Sequence, residues 1–215
     1  MTNTKKGDFV EIEFTGKANE DIFDSNIPED LKKINPKAEP KKTIIIIGEG
    51  MVVKGLDDTL KDKEIGKKYN IKFSYQEGFG KRHRELVRTI PLSIYTQHKI
   101  NPQPGMPVML DNNLAKVIAV SGARVTTDFN NPLAGKNLEY RFKIKRIVNE
   151  EKEKCETFFE FFLKHLPEFE IKEKVIVKGP EWLEALVNSV KDKFKELIHK
   201  DLTFELKKEE IKHSQ

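Results

Sequence analysis

Residues 84–131 hold 8 charged side chains among 48 residues, in a chain where Asp, Glu, Lys and Arg make up 34% of the whole. So sharp a break means that a module of separate character is set into the chain. Pro91, Pro102, Pro104 and Pro107 interrupt its first half. Its second half offers short apolar stretches around 107–110, 115–120 and 123–129. Between them stand Asp111-Asn112-Asn113 and Ser121-Gly122-Ala123, which favour turns. The pattern predicts a small β-rich unit.

The flanks read differently. Residues 8–15 alternate, with Val10, Ile12 and Phe14 on one face, and predict a strand followed by a turn from Gly16 to Glu20. Residues 26–42 contain three prolines and many lysines and predict an exposed loop with one helical turn. The β-branched run 43–47 predicts a buried strand, 56–63 a short helix with Asp57 and Asp58 in its first turn, and 67–75 and 137–148 two more strands. Beyond 150 the texture changes again. A helix is expected over 151–166, with Phe158, Phe159, Phe161 and Phe162 on a broad aromatic face. A strand over 170–178 follows, and then a helix from Pro180 to residue 199. That helix carries the apolar stripe Trp182, Leu183, Leu186, Val187, Val190, Phe194, Leu197 and Ile198. A strand over 202–206 completes a compact α/β unit.

Composition excludes several classes. The longest aliphatic run is Ile44–Ile47, far short of the roughly 18 residues of a membrane span. The N-terminal residues MTNTKKGDFV lack the apolar stretch of a signal peptide, so a cytoplasmic protein is expected, without membrane partners. The single cysteine, Cys155, leaves no intramolecular disulfide and no cysteine-based zinc site. His83, His98, His165, His199 and His213 are scattered, so neither metal nor cofactor is expected. The net charge of +4 arises from 39 basic and 35 acidic residues. Lys81-Arg82-His83-Arg84 is its one tight cluster, either a solvated loop or a phosphate site. Nucleic-acid domains concentrate charge more than this, so no nucleic-acid partner is expected.

An ordered set of short motifs carries the functional information. They are Phe14-Thr15-Gly16, Phe23-Asp24-Ser25, Gly48 through Met51-Val52-Val53-Lys54-Gly55-Leu56, Gly66, Gly78-Phe79-Gly80 and Leu138-Glu139-Tyr140. In this order and spacing the chain resembles the FKBP family of peptidyl-prolyl cis/trans isomerases. It is most similar to the SlyD-like and archaeal long-type members, which carry an insert in the flap. The resemblance covers residues 5–150 and implies an α+β fold. A half-open antiparallel β-sheet would wrap a short helix, with residues 1–83 and 132–150 forming the isomerase domain. Residues 84–131 would be the insert-in-flap chaperone domain, and 151–215 a C-terminal α/β domain.

The same resemblance implies a shallow apolar pocket for the substrate proline. Phe14 takes the place of the family's pocket tyrosine, and Phe23 and Asp24 match the Phe-Asp pair of the wall. Met51, Val52 and Val53 match the loop leading into the helix, and Leu56 matches the floor. Phe79 takes the place of the flap-base tyrosine, and Tyr140 matches the far-wall phenylalanine. Phe14, Asp24, Phe79 and Tyr140 are thus the implied catalytic residues, and Phe23, Met51, Val52, Val53 and Leu56 the implied substrate-binding ones.

Three positions depart from the family pattern. Phe14 and Phe79 each lack a hydroxyl, and Met51 replaces a common glutamate. The implied partners are unfolded or partly folded polypeptides containing X-Pro. For the insert, Ile94, Tyr95, Met106 and Met109 are candidate client contacts, or else the core of the β module itself. A binding module with a decayed pocket, and an RNA-binding basic β protein, are the other readings. The aromatic face of 151–166 spans too wide an arc for one narrow stripe and needs further cover. A homodimer through 151–215 is the expectation, and docking of that segment on residues 1–150 the alternative.

Overall fold

The computed structural model describes residues 3–207 and divides into two compact units. One comprises the chain before Ala18, Ile22–Ile71 and the chain from Tyr140 onward; the other comprises Ala18–Asp21 and Lys72–Glu139. The fold is α+β, as the sequence implies.

The first sheet contains β1 (Phe9–Ala18), β2 (Asp21–Ser25), β3 (Thr43–Ile46), β4 (Lys68–Phe73) and β9 (Leu138–Ile147), ordered β2-β1-β9-β4, with β3 also pairing β1. β1 and β3 run antiparallel, Phe9 opposite Ile46 and Ile12 opposite Thr43. β2 was not foreseen. It follows β1 across Asn19 and Glu20, both with positive φ (52° and 74°), as a two-residue hairpin turn between twisted strands requires. Residues 26–42 also hold more order than their prolines suggest. Pro28 opens helix α1 (Pro28–Ile34), with Glu29 and Asp30 in its first turn and Lys32 and Lys33 in its last, the charge order that the helix dipole favours. Helix α2 (Lys54–Thr59) starts two residues earlier than 56 and buries Gly55, Leu56 and Asp57.

The second unit holds the insert. Strands β5 (Val87–Pro91), β6 (Pro107–Leu110), β7 (Asn113–Ser121) and β8 (Arg124–Asp128) form a sheet ordered β5-β8-β7-β6, with helix α3 (Leu92–Gln97) beside it. β5 and α3 lie where the prolines masked any periodicity. Asp111 and Asn112, at φ 48° and 61°, make the tight β6–β7 turn. The insert has its own core of Tyr95, Val108, Leu110, Ala115, Val117 and Val125.

Residues 151–207 form helix α4 (Glu151–Phe162), a hairpin of β10 (Glu168–Ile171) and β11 (Val175–Gly179), helix α5 (Trp182–Ile198) and strand β12 (Leu202–Leu206). β11 pairs antiparallel with β10 and parallel with β12. The single strand expected over 170–178 is therefore two. Lys172, Glu173 and Lys174 lie at the turn between them, and alternation continues on both sides of it.

The broad phenylalanine face of α4 is covered from within the chain. Phe158 and Phe159 are fully buried and share one core with Phe9, Ile46, Val148, Val177, Val187 and Phe194. Phe159 stacks on Phe194 at 5.6 Å and 11°, and meets Phe169 edge-on at 5.2 Å. At about 1.5–3 kcal/mol per large buried side chain, this one core binds the C-terminal segment to β1 and β3 more strongly than any surface pair could. An ion network reinforces it. Arg146 Nε donates to Glu11 at 2.8 Å, and its Nη2 donates to both Glu153 oxygens at 2.9 Å. Cys155 is buried in this core, and burial pushes its thiol up to about 12, so no reactive thiolate forms near neutral pH. Among the described residues, no helix is long and apolar enough to cross a membrane.

Candidate active site

Three strands of the first unit place the expected wall residues together. Phe14 on β1, Phe23 and Asp24 on β2 and Tyr140 on β9 converge around one ring. Tyr140 lies 6.1 Å from Phe14, tilted at 35°, and 5.8 Å from Phe23, edge to face at 84°. Both separations fall in the range where aromatic pairs attract beyond their area. Gly16 permits this closeness: a Cβ there would stand 2.8 Å from Phe23 Cζ and 3.0 Å from Tyr140 Cε1. The motif Phe14-Thr15-Gly16 contained this residue, but the reason for it lies in the packing.

The wall carries one charge. Asp24 reaches solvent, yet burial of its carboxyl raises its pKa above the ordinary value, against a lowering hydrogen bond from the Ser25 backbone. Burial, and then the neighbouring Asp24 charge, push the Tyr140 phenol above its usual range, so Tyr140 stays a neutral O–H near neutral pH.

The loop leading into α2 is braced from two sides. The buried Asp57 carboxylate accepts the N–H of Gly48 at 2.7 Å and of Gly50 at 3.0 Å. Glu49 pairs with Lys193 of α5 at 2.8 Å. The Met51 sulfur accepts the Ile46 N–H at 3.1 Å, and its side chain packs against the core shared with α4 and α5. Val53 caps α2, and Leu56 is buried one turn on. The C-terminal segment thus touches the loop that the family pattern assigns to substrate.

Phe79 lies in the second unit, half-buried in the turn after β4. There Gly80 N–H donates to the Tyr75 carbonyl at 2.7 Å, and Gly135 N–H donates to the Gly80 carbonyl at 2.8 Å. Gly78 has no room for a side chain, since a Cβ would meet Leu138 Cδ1 at 2.6 Å.

In the insert, the four expected client contacts separate. Ile94, Met106 and Met109 are exposed. Tyr95 is not a surface contact: it is fully buried, and its hydroxyl hydrogen-bonds Thr127. The apolar face includes residues the sequence did not single out. Met109 and Leu114 are opposite each other across β6 and β7 and are 58% and 57% exposed, with Ile118 and Val120 further along β7. A groove of about 570 Å³ within this unit is lined by Pro107, Leu114, Ala115, Lys116, Ile118 and Pro132, among others.

Two of the four residues of the basic cluster are engaged within the chain. Arg82 donates through Nε and Nη2 to Asp128, and His83 pairs with Glu85 at 2.9 Å. Among the described residues no group of three or more His, Cys, Asp or Glu could hold a metal ion; His213 lies outside them.

Comparison with known proteins identifies the family. The model of the FKBP-type peptidyl-prolyl cis-trans isomerase matches residues 1–94, and that of the FKBP26 IF domain matches 88–133. This chain belongs to the FKBP-type peptidyl-prolyl cis-trans isomerases. It is 29% identical over 152 residues to the short-type peptidyl-prolyl cis-trans isomerase of Methanocaldococcus jannaschii, covering 69% of this chain and 97% of that one. It is 28% identical over 158 residues to the FKBP-type isomerase SlyD of Helicobacter pylori, covering 70% and 78%. With SlyD of Escherichia coli K12 the identity is 25% over 104 residues, 46% of this chain and 53% of that protein. In this FKBP-type isomerase, then, the hydroxyl of the Phe14–Phe23–Tyr140 group is on Tyr140.

Proposed function

We propose that the prolyl ring of a substrate enters between Phe14, Phe23 and Tyr140, above Leu56, and that Val52 and the Val53 N–H hold the chain before it. The reading is supported by the three rings meeting around Tyr140 with Asp24 as the adjacent charge. Rotation about the amide costs about 18–20 kcal/mol because resonance is lost. At X-Pro the two isomers lie close in energy but exchange over tens to hundreds of seconds. The twisted amide has less charge separation than the planar one. A water-poor aromatic wall therefore disfavours the ground state more than the transition state. Asp24 orients the twisting imide and transfers no proton. Met51 contributes through its backbone, its side chain being engaged elsewhere. The flap-base role of Phe79 rests on the family pattern alone.

Asp24→Ala tests this. In a protease-coupled assay on a short X-Pro peptide, kcat/KM is expected to fall about tenfold, the loss of one oriented polar contact. Phe79→Ala is expected to fall by a similar factor. Losses below about twofold in both, with the wild type active, would remove the pocket assignment. A wild type without peptide activity that still assists refolding would favour the binding-module reading.

The insert captures unfolded, proline-containing chains in the cytoplasm through Met106, Met109, Leu114, Ile118 and Val120. Methionine-bearing apolar surfaces adapt to varied partners. Engagement of Arg82 and His83 by Asp128 and Glu85 favours a protein partner over a nucleic acid.

The homodimer is proposed through α5 and β12. Trp182 is 61% exposed and Leu186 lies one turn on, although both belong to the apolar stripe; Leu206 is exposed opposite Gly179, which shortly precedes Trp182. A self-complementary patch is most often buried by two-fold pairing. Truncation near 150 would uncover Phe9 and Ile46, so a surface variant is the cleaner test. Light scattering is expected to show a dimer for the full chain and a monomer for Trp182→Asp, with peptide isomerisation unchanged. A monomeric full chain would end the idea.

A further inference from the structure

Asp30 has no part in the pocket, yet it touches two residues that neighbour it, Thr15 and Arg141, and reaches a third, Ser25, through Thr15. It is buried in the first turn of α1. Its carboxylate accepts from Thr15 Oγ1 at 2.7 Å, Lys33 Nζ at 2.8 Å and Arg141 Nη2 at 3.0 Å. Thr15 Oγ1 lies 3.0 Å from Ser25 Oγ, which donates to the Phe14 carbonyl at 2.9 Å and accepts the Ile27 N–H at 3.0 Å. An ionised carboxylate only accepts, so Thr15 gives its one hydroxyl proton to Asp30, and the single Ser25 proton is shared between Thr15 Oγ1 and the Phe14 carbonyl. The charge on Asp30 sets the direction of the Thr15 hydroxyl. The donors to Asp30 hold that carboxyl below the usual range.

The register gives the network its meaning. Thr15 follows Phe14 on β1, Ser25 follows Asp24 on β2, and Arg141 follows Tyr140 on β9. Successive residues of a strand point to opposite faces. On β1 and β9 the network therefore holds the face opposite Phe14 and Tyr140, and on β2 it holds Ser25, next to Asp24. We infer that Asp30 is a positioning residue for isomerisation: through Thr15, Ser25 and Arg141 it sets the relative depth of Phe14, Asp24 and Tyr140. Backbone pairing in the β2-β1-β9 sheet sets the strand order, and the depth of the side chains on it can still shift by fractions of an ångström. One charge-assisted hub removes that freedom from all three together. The inference rests on the pocket proposed above.

The test compares Asp30→Asn, Thr15→Val, Thr15→Ser and the double variant Asp30→Asn/Thr15→Val with Asp24→Ala, by peptide isomerisation kinetics and thermal unfolding. Asp30→Asn and Thr15→Val are each expected to lower kcat about fivefold with KM little changed, as misplaced groups do. Thr15→Ser, which restores the hydroxyl, should recover most of the rate. The double variant should be no slower than the worse single one, because both break one network. A fall in melting temperature with kcat within twofold of wild type in both single variants would overturn the inference, as would multiplicative losses in the double. Should Asp30→Asn not fold, Thr15→Val against Thr15→Ser carries the same comparison. Failure of the pocket itself is distinguishable, because Asp24→Ala would then leave the rate unaltered.

Discussion

Gly16→Ala is expected to lower kcat/KM for a short X-Pro peptide about a hundredfold while the protein remains folded. The added Cβ would sit 2.8 Å from Phe23 Cζ and 3.0 Å from Tyr140 Cε1, well inside normal contact. One ring must give. Tyr140 is buried and packed against Phe14, whereas Phe23 is half-buried on the short strand β2, so Phe23 moves. Relief takes a displacement approaching about 1 Å, which at a reacting centre is enough for a loss of this size. The stability cost is that of overpacking, about 1–3 kcal/mol. Isomerisation kinetics beside a melting curve separate the two effects. A variant within twofold of wild type would show that the Phe14–Phe23–Tyr140 group is not where proline turns.

Asp24 should behave in the opposite sense for stability. Its folded pKa is raised, so the ionised form is disfavoured by the fold, and stability falls as pH rises from the ordinary aspartate value through the folded one. Asp24→Ala should therefore cost activity without lowering the melting temperature at neutral pH. That pattern marks a residue kept for its chemistry and not for packing.

What could be read from the chain follows from the range of each signal. Alternation over 8–15 and 137–148 is local, and the two strands it predicts are present as β1 and β9. Phe14, Phe23, Asp24 and Tyr140 were legible because their order was informative, not because any one is distinctive. Strand β2 was hidden because five residues cannot display a period, and α1 is legible only as a single helical turn because prolines usually mark loops. Asp30, lying in that segment, was lost with it. Tyr95 misled because amphipathic residues suit both a surface and a core. Its place was decided by Thr127, 32 residues away. Trp182 and Leu186 sit on the correct stripe of α5, but the stripe is wider than the surface beneath it. Leu183, Val187, Phe194 and Leu197 take the buried positions.

Deleting 84–129 and joining His83 to Asn130 through two glycines is expected to leave peptide isomerisation within about threefold of wild type, while catalysis of refolding of a whole protein falls about a hundredfold. The geometry favours so clean a cut. The insert core, from Tyr95 to Val125, lies entirely within the removed span. The incoming and outgoing chains are already clasped: His83 N–H donates to Asn130 Oδ1 at 2.8 Å, and Asn130 Nδ2 returns a bond to the His83 carbonyl at 2.9 Å. A short closure therefore spans little distance. The asymmetry between substrates follows from tethering. A peptide of a few residues meets the pocket by diffusion with or without the insert. An unfolded chain held by Met109, Leu114 and Ile118 presents its prolines at an effective concentration near the millimolar range, far above that of a dilute client. Met109→Glu with Leu114→Glu should reproduce the refolding defect without any deletion, since both side chains are exposed and outside the insert core. If peptide and protein activities fell together in the deletion, the insert would be acting on the pocket itself. If the glutamate pair left refolding intact, capture would have to lie elsewhere on the chain.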